Sequence, residues 1–160
     1  MREAERLIAS SKPLLEDLLD LDARFNELGT RFSDVEDTIA EGKSLAEMAM
    51  LDVDELEARI SRAASLLREV EDMDKAGDYA TYAGMALDAL EPTSRALEKN
   101  RELLAAVWDM LDVLPAAENA GQLSWYTGEI DRLASEIGSL LREASSAAEA
   151  ADRYREEHGL

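Results

Sequence analysis

The 160-residue chain has no cysteine, a single histidine, three prolines and an aromatic content of only 5%. Without cysteine there is no disulfide framework, no thiolate metal site and no thiol nucleophile. The lone His158 leaves no second imidazole for a two-histidine metal centre. A Ser–His–acid triad would have to recruit this same terminal residue, and no nucleophile elbow accompanies it. Positive charge is scarce as well: 17 Lys plus Arg stand against 36 Asp plus Glu, a formal net charge of −19. The acids are spread along the whole chain rather than gathered in a tail. Such a surface repels phosphate backbones and anionic lipid, so neither direct nucleic-acid binding nor a membrane is expected. No run approaches the roughly 18 apolar residues of a membrane span. The segment Met1–Lys12, with Glu3, Glu5 and the apolar pair Leu7-Ile8, lacks the character of a signal peptide. A soluble, cytoplasmic protein is expected.

What the chain does have is 46% hydrophobic residues beside 33% charged ones. Disordered chains combine high charge with little to bury, so this composition specifies a folded protein, and its length suits one domain over residues 1–160. Apolar residues recur at helical spacing almost throughout, and no stretch alternates with period two long enough for a strand. From Leu14, steps of four and three reach Leu18, Leu21, Phe25, Leu28, Phe32, Val35 and Ile39. The same phase continues through Gly42, Ala46, Ala49, Val53, Leu56, Ile60, Ala63, Leu67 and Val70. One helix over all of it would be about 90 Å long, so a break is required. Asp52 with Glu55, flanked by Leu51 and Leu56 as a hydrophobic staple, marks a helix start near Val53, and Ser44 with Glu47 forms a second capping box. Residues 42–52 are therefore predicted to be a connector. Gly29-Thr30, followed by Ser33 and Glu36, offers an alternative interruption.

Gly77 and Asp78 combine a C-terminal glycine with an aspartate cap, ending the second helix near Asp74. The next stripe runs from Ala86 through Leu90, Thr93, Leu97, Asn100, Leu104, Val107 and Leu111 to Leu114. Pro92 lies inside it and predicts a kink or split near Glu91. Pro115–Gly121 reads as a loop, and a last stripe runs from Leu123 to Tyr154. The predicted fold is all-α, an antiparallel bundle of four helices over about 12–41, 53–74, 79–114 and 122–157.

No constellation carries catalysis. Asp72-Met73-Asp74-Lys75-Ala76-Gly77-Asp78 has carboxylates at the first and third positions of a calcium loop and glycine at the sixth, but Ala83 stands where the bidentate glutamate belongs. A plain helix–turn–helix connection is the better reading. Acid pairs such as Asp109 with Asp112, or Glu129 with Asp131, are expected on a solvated face of so acidic a chain. Gly42-Lys43-Ser44 lacks the strand and earlier glycine of a phosphate loop. No catalytic residue, cofactor or metal ligand is assigned.

The aromatic residues carry more. Trp108 precedes the last loop and Trp125-Tyr126 follow it, so an antiparallel hairpin brings them to one end of the bundle as a candidate partner patch, with Tyr79, Tyr82 and Tyr154 at the other end. Trp125-Tyr126-Thr127-Gly128 resembles the Trp-x-Gly turn of small helical type VII secretion substrates, but its spacing differs by one and it falls at a helix start, so nothing functional carries over. Three readings follow. The first is a non-enzymatic adaptor, inhibitor or self-assembling module whose partner is another protein, with a basic surface, or a second copy. The second is a DNA mimic occupying the basic groove of a nuclease or nucleic-acid-binding protein. The third is a small-ligand sensor with a pocket near Pro92 and Asn100.

Overall fold

The structure, a computed structural model, describes residues 2–28, 35–74, 77–114 and 120–160. Among the described residues every regular element is helical: α1 (Arg2–Leu28), α2 (Val35–Asp74), α3 (Asp78–Val113) and α4 (Ala120–His158). They pack as an antiparallel four-helix bundle in which α1 lies on α2, α2 on α3 and α3 on α4. Ion pairs fix the directions. Lys43 of α2 meets Asp112 of α3, while Arg101 meets Asp54 and, at 2.9 Å, Glu57. Glu3 lies 3.7 Å from Arg62 of α2, and Glu5 lies 3.9 Å from Arg155 of α4.

The largest correction to the sequence reading concerns residues 42–52, which are not a connector but the interior of the 40-residue α2. The four-three stripe runs through them unbroken: Ala46, Ala49, Val53, Leu56, Ile60, Ala63 and Leu67 are all buried, each at 7% exposure or less. The apparent caps are surface residues of a continuous helix. Leu51 is 68% exposed and staples nothing. In a chain with this much acid, Ser-x-x-Glu and Asp-x-x-Glu spacings arise on any solvated helix face. The α2 start instead carries Glu36 and Asp37 in its first turn, where negative charge favours the helix dipole. Gly29, Thr30, Phe32 and Ser33, and the side chains of Leu18, Phe25, Leu28 and Val35, lie outside the described residues, as do Lys75-Ala76 and 115–119.

The first helix also starts earlier than expected, at Arg2 rather than near residue 12, and carries Pro13 inside it. Its inward stripe reaches back to Ala4, fully buried, and Ser11, 5% exposed, two residues too small or too polar to register as a seam. The Arg59 guanidinium donates to the Ser10 carbonyl, next to the Ala9 carbonyl that Pro13 leaves without its helical donor. Pro92 likewise sits buried within α3, which is not split there. Asp78, expected as a cap, is the first residue of α3 behind Gly77, which makes no side-chain cap bond. Its carboxylate turns to α4, accepting the Tyr154 hydroxyl at 3.0 Å and meeting His158 Nδ1 at 3.3 Å. Gly121 belongs to α4 rather than to the loop. That helix ends at Gly159 in the left-handed conformation (φ 65°), with the Leu160 amide donating to the Arg155 carbonyl at 3.0 Å.

Candidate functional site: an acid-ringed apolar groove between α1 and α2

A helix with one stripe turned inward should carry polar residues elsewhere, and α2 breaks that rule. Met48 (41% exposed) and Leu51 (68% exposed) stand three residues apart, out of phase with Ala46, Ala49 and Val53. On adjacent turns they form one ridge. The ridge borders an open groove whose α1 wall is Asp17, Asp20 and Leu21, and whose α2 wall is completed by Asp52. Leu21, 7% exposed, ties the groove floor to the core. Two large apolar side chains thus stand in water inside a ring of three carboxylates.

At Asp52 the charged form is disfavoured. Partial burial, then the charges of Asp17 and Glu55, push the Asp52 carboxyl above its ordinary range. For an acid with a raised folded-state value, the associated stability is present at low pH and lost as pH rises through that value, so above it the ionised Asp52 opposes folding. A positive group placed over the groove would relieve this.

The aromatic residues are arranged differently from the single patch expected. Trp125 (63% exposed) and Tyr126 meet edge to face, with ring centroids 4.9 Å apart. Trp108, on α3, instead takes the Lys43 ammonium 5.2 Å above its ring. Among the described residues no ring contact links Trp108 to the Trp125–Tyr126 pair, although all three lie near the α3–α4 end of the hairpin. At the opposite end Tyr82 is buried beside Arg155. Burial, with Glu5 nearby, holds its hydroxyl above the ordinary phenol range, opposed by the Arg155 hydrogen bond. Tyr154 stacks on His158 at 4.1 Å.

Compared with known protein families, curated proteins and solved structures, the chain finds no match in any of the three. The site is therefore judged on its own chemistry. Among the described residues no group of three or more His, Asp and Glu side chains is placed to hold a metal ion, and no helix is long and apolar enough to cross a membrane. One acid of each pair singled out in the sequence is engaged elsewhere: Asp112 with Lys43, and Glu129 with Arg132, whose hydrogen bond lowers the Glu129 carboxyl rather than raising it as a general acid requires.

Sequence reasoning missed the groove because a connector has no faces. Once 42–52 is drawn as helix, Met48 and Leu51 stand out as apolar residues off the stripe, and Asp52 turns from a cap into part of the ring.

The ion pairs visible here lie at the surface, where each contributes between about 0 and 1 kcal/mol. They do not offset a net charge of −19. Raising sodium chloride from about 0.01 M to about 1 M shortens the screening length from about 30 Å to about 3 Å. The melting temperature is expected to rise across this series. A flat or falling curve, read by circular dichroism, would show that the carboxylates are compensated internally.

Proposed function

We propose that the protein is a non-enzymatic interaction module, acting as a soluble cytoplasmic protein, that captures a basic amphipathic segment of another protein in the α1–α2 groove. The observation that supports this is the exposed Met48–Leu51 ridge inside the ring of Asp17, Asp20 and Asp52. Each part has a separate role. Covering the ridge removes apolar area from water, at about 25 cal/mol per Å². The carboxylates speed encounter with a positive partner and disfavour a negative one. A second copy of the chain is a poor occupant, because a two-fold contact through this groove would set acid against acid.

The test places a photo-reactive benzoylphenylalanine at Met48, which preserves an apolar side chain there, or at Trp125, and irradiates the protein in an extract of its native cells. A discrete basic partner is expected to cross-link from position 48 at low salt, and to be lost in Leu51→Asp and in Asp17→Asn/Asp52→Asn. Cross-links from position 125 alone would move the interface to the aromatic pair. Capture that survives Leu51→Asp but fails in the Asn variant would favour nucleic-acid mimicry, in which carboxylates act without an apolar anchor. Concentration-dependent sedimentation with no foreign partner would replace both with self-association.

A further inference from the structure

On the side of the bundle where α1 and α4 stand apart, a cavity of about 320 Å³ opens between all four helices. Its walls include Ile8 and Ser11 of α1, Ala63 of α2, Ala86 of α3, and Ala144 and Ala148 of α4. The space has a direct cause in the sequence. At this level Ala63, Ala86 and Ala144 face the space beside Ile60 and Leu90, and small side chains at three of the facing positions leave it unfilled. Protein interiors are normally close-packed, and an apolar cavity of about 150 Å³ is already enough to hold benzene. Ligand pockets begin near 300 Å³.

The wall chemistry narrows the occupant. Ser11 donates its proton to the Leu7 carbonyl at 2.9 Å, and Thr93 donates to the Ala89 carbonyl at 3.0 Å. Of the four hydroxyl-bearing wall residues, which also include Tyr82 and Ser145, these two have committed their hydrogens and offer oxygen lone pairs as acceptors. The charged residues at the wall are satisfied inside the protein: Arg59 by Glu55, and Asp152 by Arg155 at 3.3 Å. An anion would have to take Arg59 from its glutamate, in a chain of net charge −19. Thr93, the residue after Pro92, lines this cavity, and Pro92 and Asn100 do not.

We propose that this cavity binds a neutral, largely apolar small molecule bearing a hydroxyl or N–H donor. The site is independent of the α1–α2 groove.

N-phenyl-1-naphthylamine, neutral with one N–H, is the probe, and 1-anilinonaphthalene-8-sulfonate is its anionic counterpart. Saturable one-to-one fluorescence enhancement is expected with the neutral probe, and binding weaker by about tenfold or more with the sulfonate. Ala144→Leu fills the space from α4 and is expected to weaken the neutral probe by about tenfold or more, within the range that small volume changes in apolar pockets produce. Its melting temperature should match or exceed that of the parent, as cavity filling usually gives. Should Ala144→Leu fail to fold, Ala148→Leu at the exposed mouth replaces it with the same expectation. Four outcomes would overturn the proposal: no saturable binding, unchanged binding in the filled variant, a sulfonate bound as tightly as the neutral probe, or binding abolished by Leu51→Asp, which would place the probe in the other groove.

Discussion

Replacing Glu47 with proline is expected to lower the unfolding free energy by about 3 kcal/mol or more, while Glu47→Ala changes it by about 0.5 kcal/mol or less. Glu47 is exposed, so neither substitution disturbs packing. The difference isolates the backbone. Proline at 47 removes the amide that bonds the Lys43 carbonyl and drives its ring against that same turn. If Ser44 instead capped a new helix, Glu47 would be its third residue, where the amide bonds only the Ser44 hydroxyl and proline costs about 1 kcal/mol, the worth of the cap. Urea denaturation followed by circular dichroism reads the result. A loss near 3 kcal/mol or more places residues 42–52 within α2, and a loss of about 1 kcal/mol or less restores the connector.

The second large effect is expected at Leu56. Its side chain is fully buried in the central cluster with Val53, Ile60, Leu97 and Leu104. Leu56→Ala is expected to destabilise by about 2–5 kcal/mol through lost transfer energy and the cavity left behind. Domains of this kind have about 5–15 kcal/mol in total, so this single change removes a large share. Leu51→Ala, five residues earlier and two-thirds exposed, should cost about 0.5 kcal/mol or less. The same Leu51→Ala should weaken partner capture. That opposition separates the face that holds the bundle together from the face that makes contact. Equal losses of stability at the two positions would mean that the α2 register is wrong.

The helical class, the antiparallel pairing and most inward positions were legible in the sequence because they follow from one period. Leu45 aside, the buried residues of α2 from Ala46 to Leu67 fall on the stripe counted from Leu14. The end of α2 at Asp74 and the start of α3 beside Gly77 were legible too, since glycine breaks a helix for a local reason. Breaks inferred from caps were not. A capping box is a chemical option that an acidic surface offers repeatedly, and packing along the stripe decides whether the helix stops. Gly42 shows the deciding force: it is buried, and a Cβ there would lie 3.0 Å from Leu111 Cδ1, so α2 packs closely on α3 inside the supposed connector. Ser11, a polar residue on the inward face of α1, was invisible for a related reason, because its hydroxyl is satisfied by its own helix. Of the candidate surface, Trp108, Trp125 and Tyr126 could be named from the sequence. That Lys43 would claim Trp108 depended on α2 extending far enough back to reach it.

Both the groove and the long second helix require residues 42–52 to be hydrogen-bonded helix in solution. Native-state hydrogen exchange resolved by residue measures this without any substitution. The amides of Leu45, Ala46 and Ala49 should exchange as slowly as those of Val53, Leu56 and Ile60, through the same cooperative opening. Exchange of Leu45, Ala46 and Ala49 at the rate of an open loop, with protection beginning only at Val53, would contradict the continuous helix and remove the ridge on which partner binding depends.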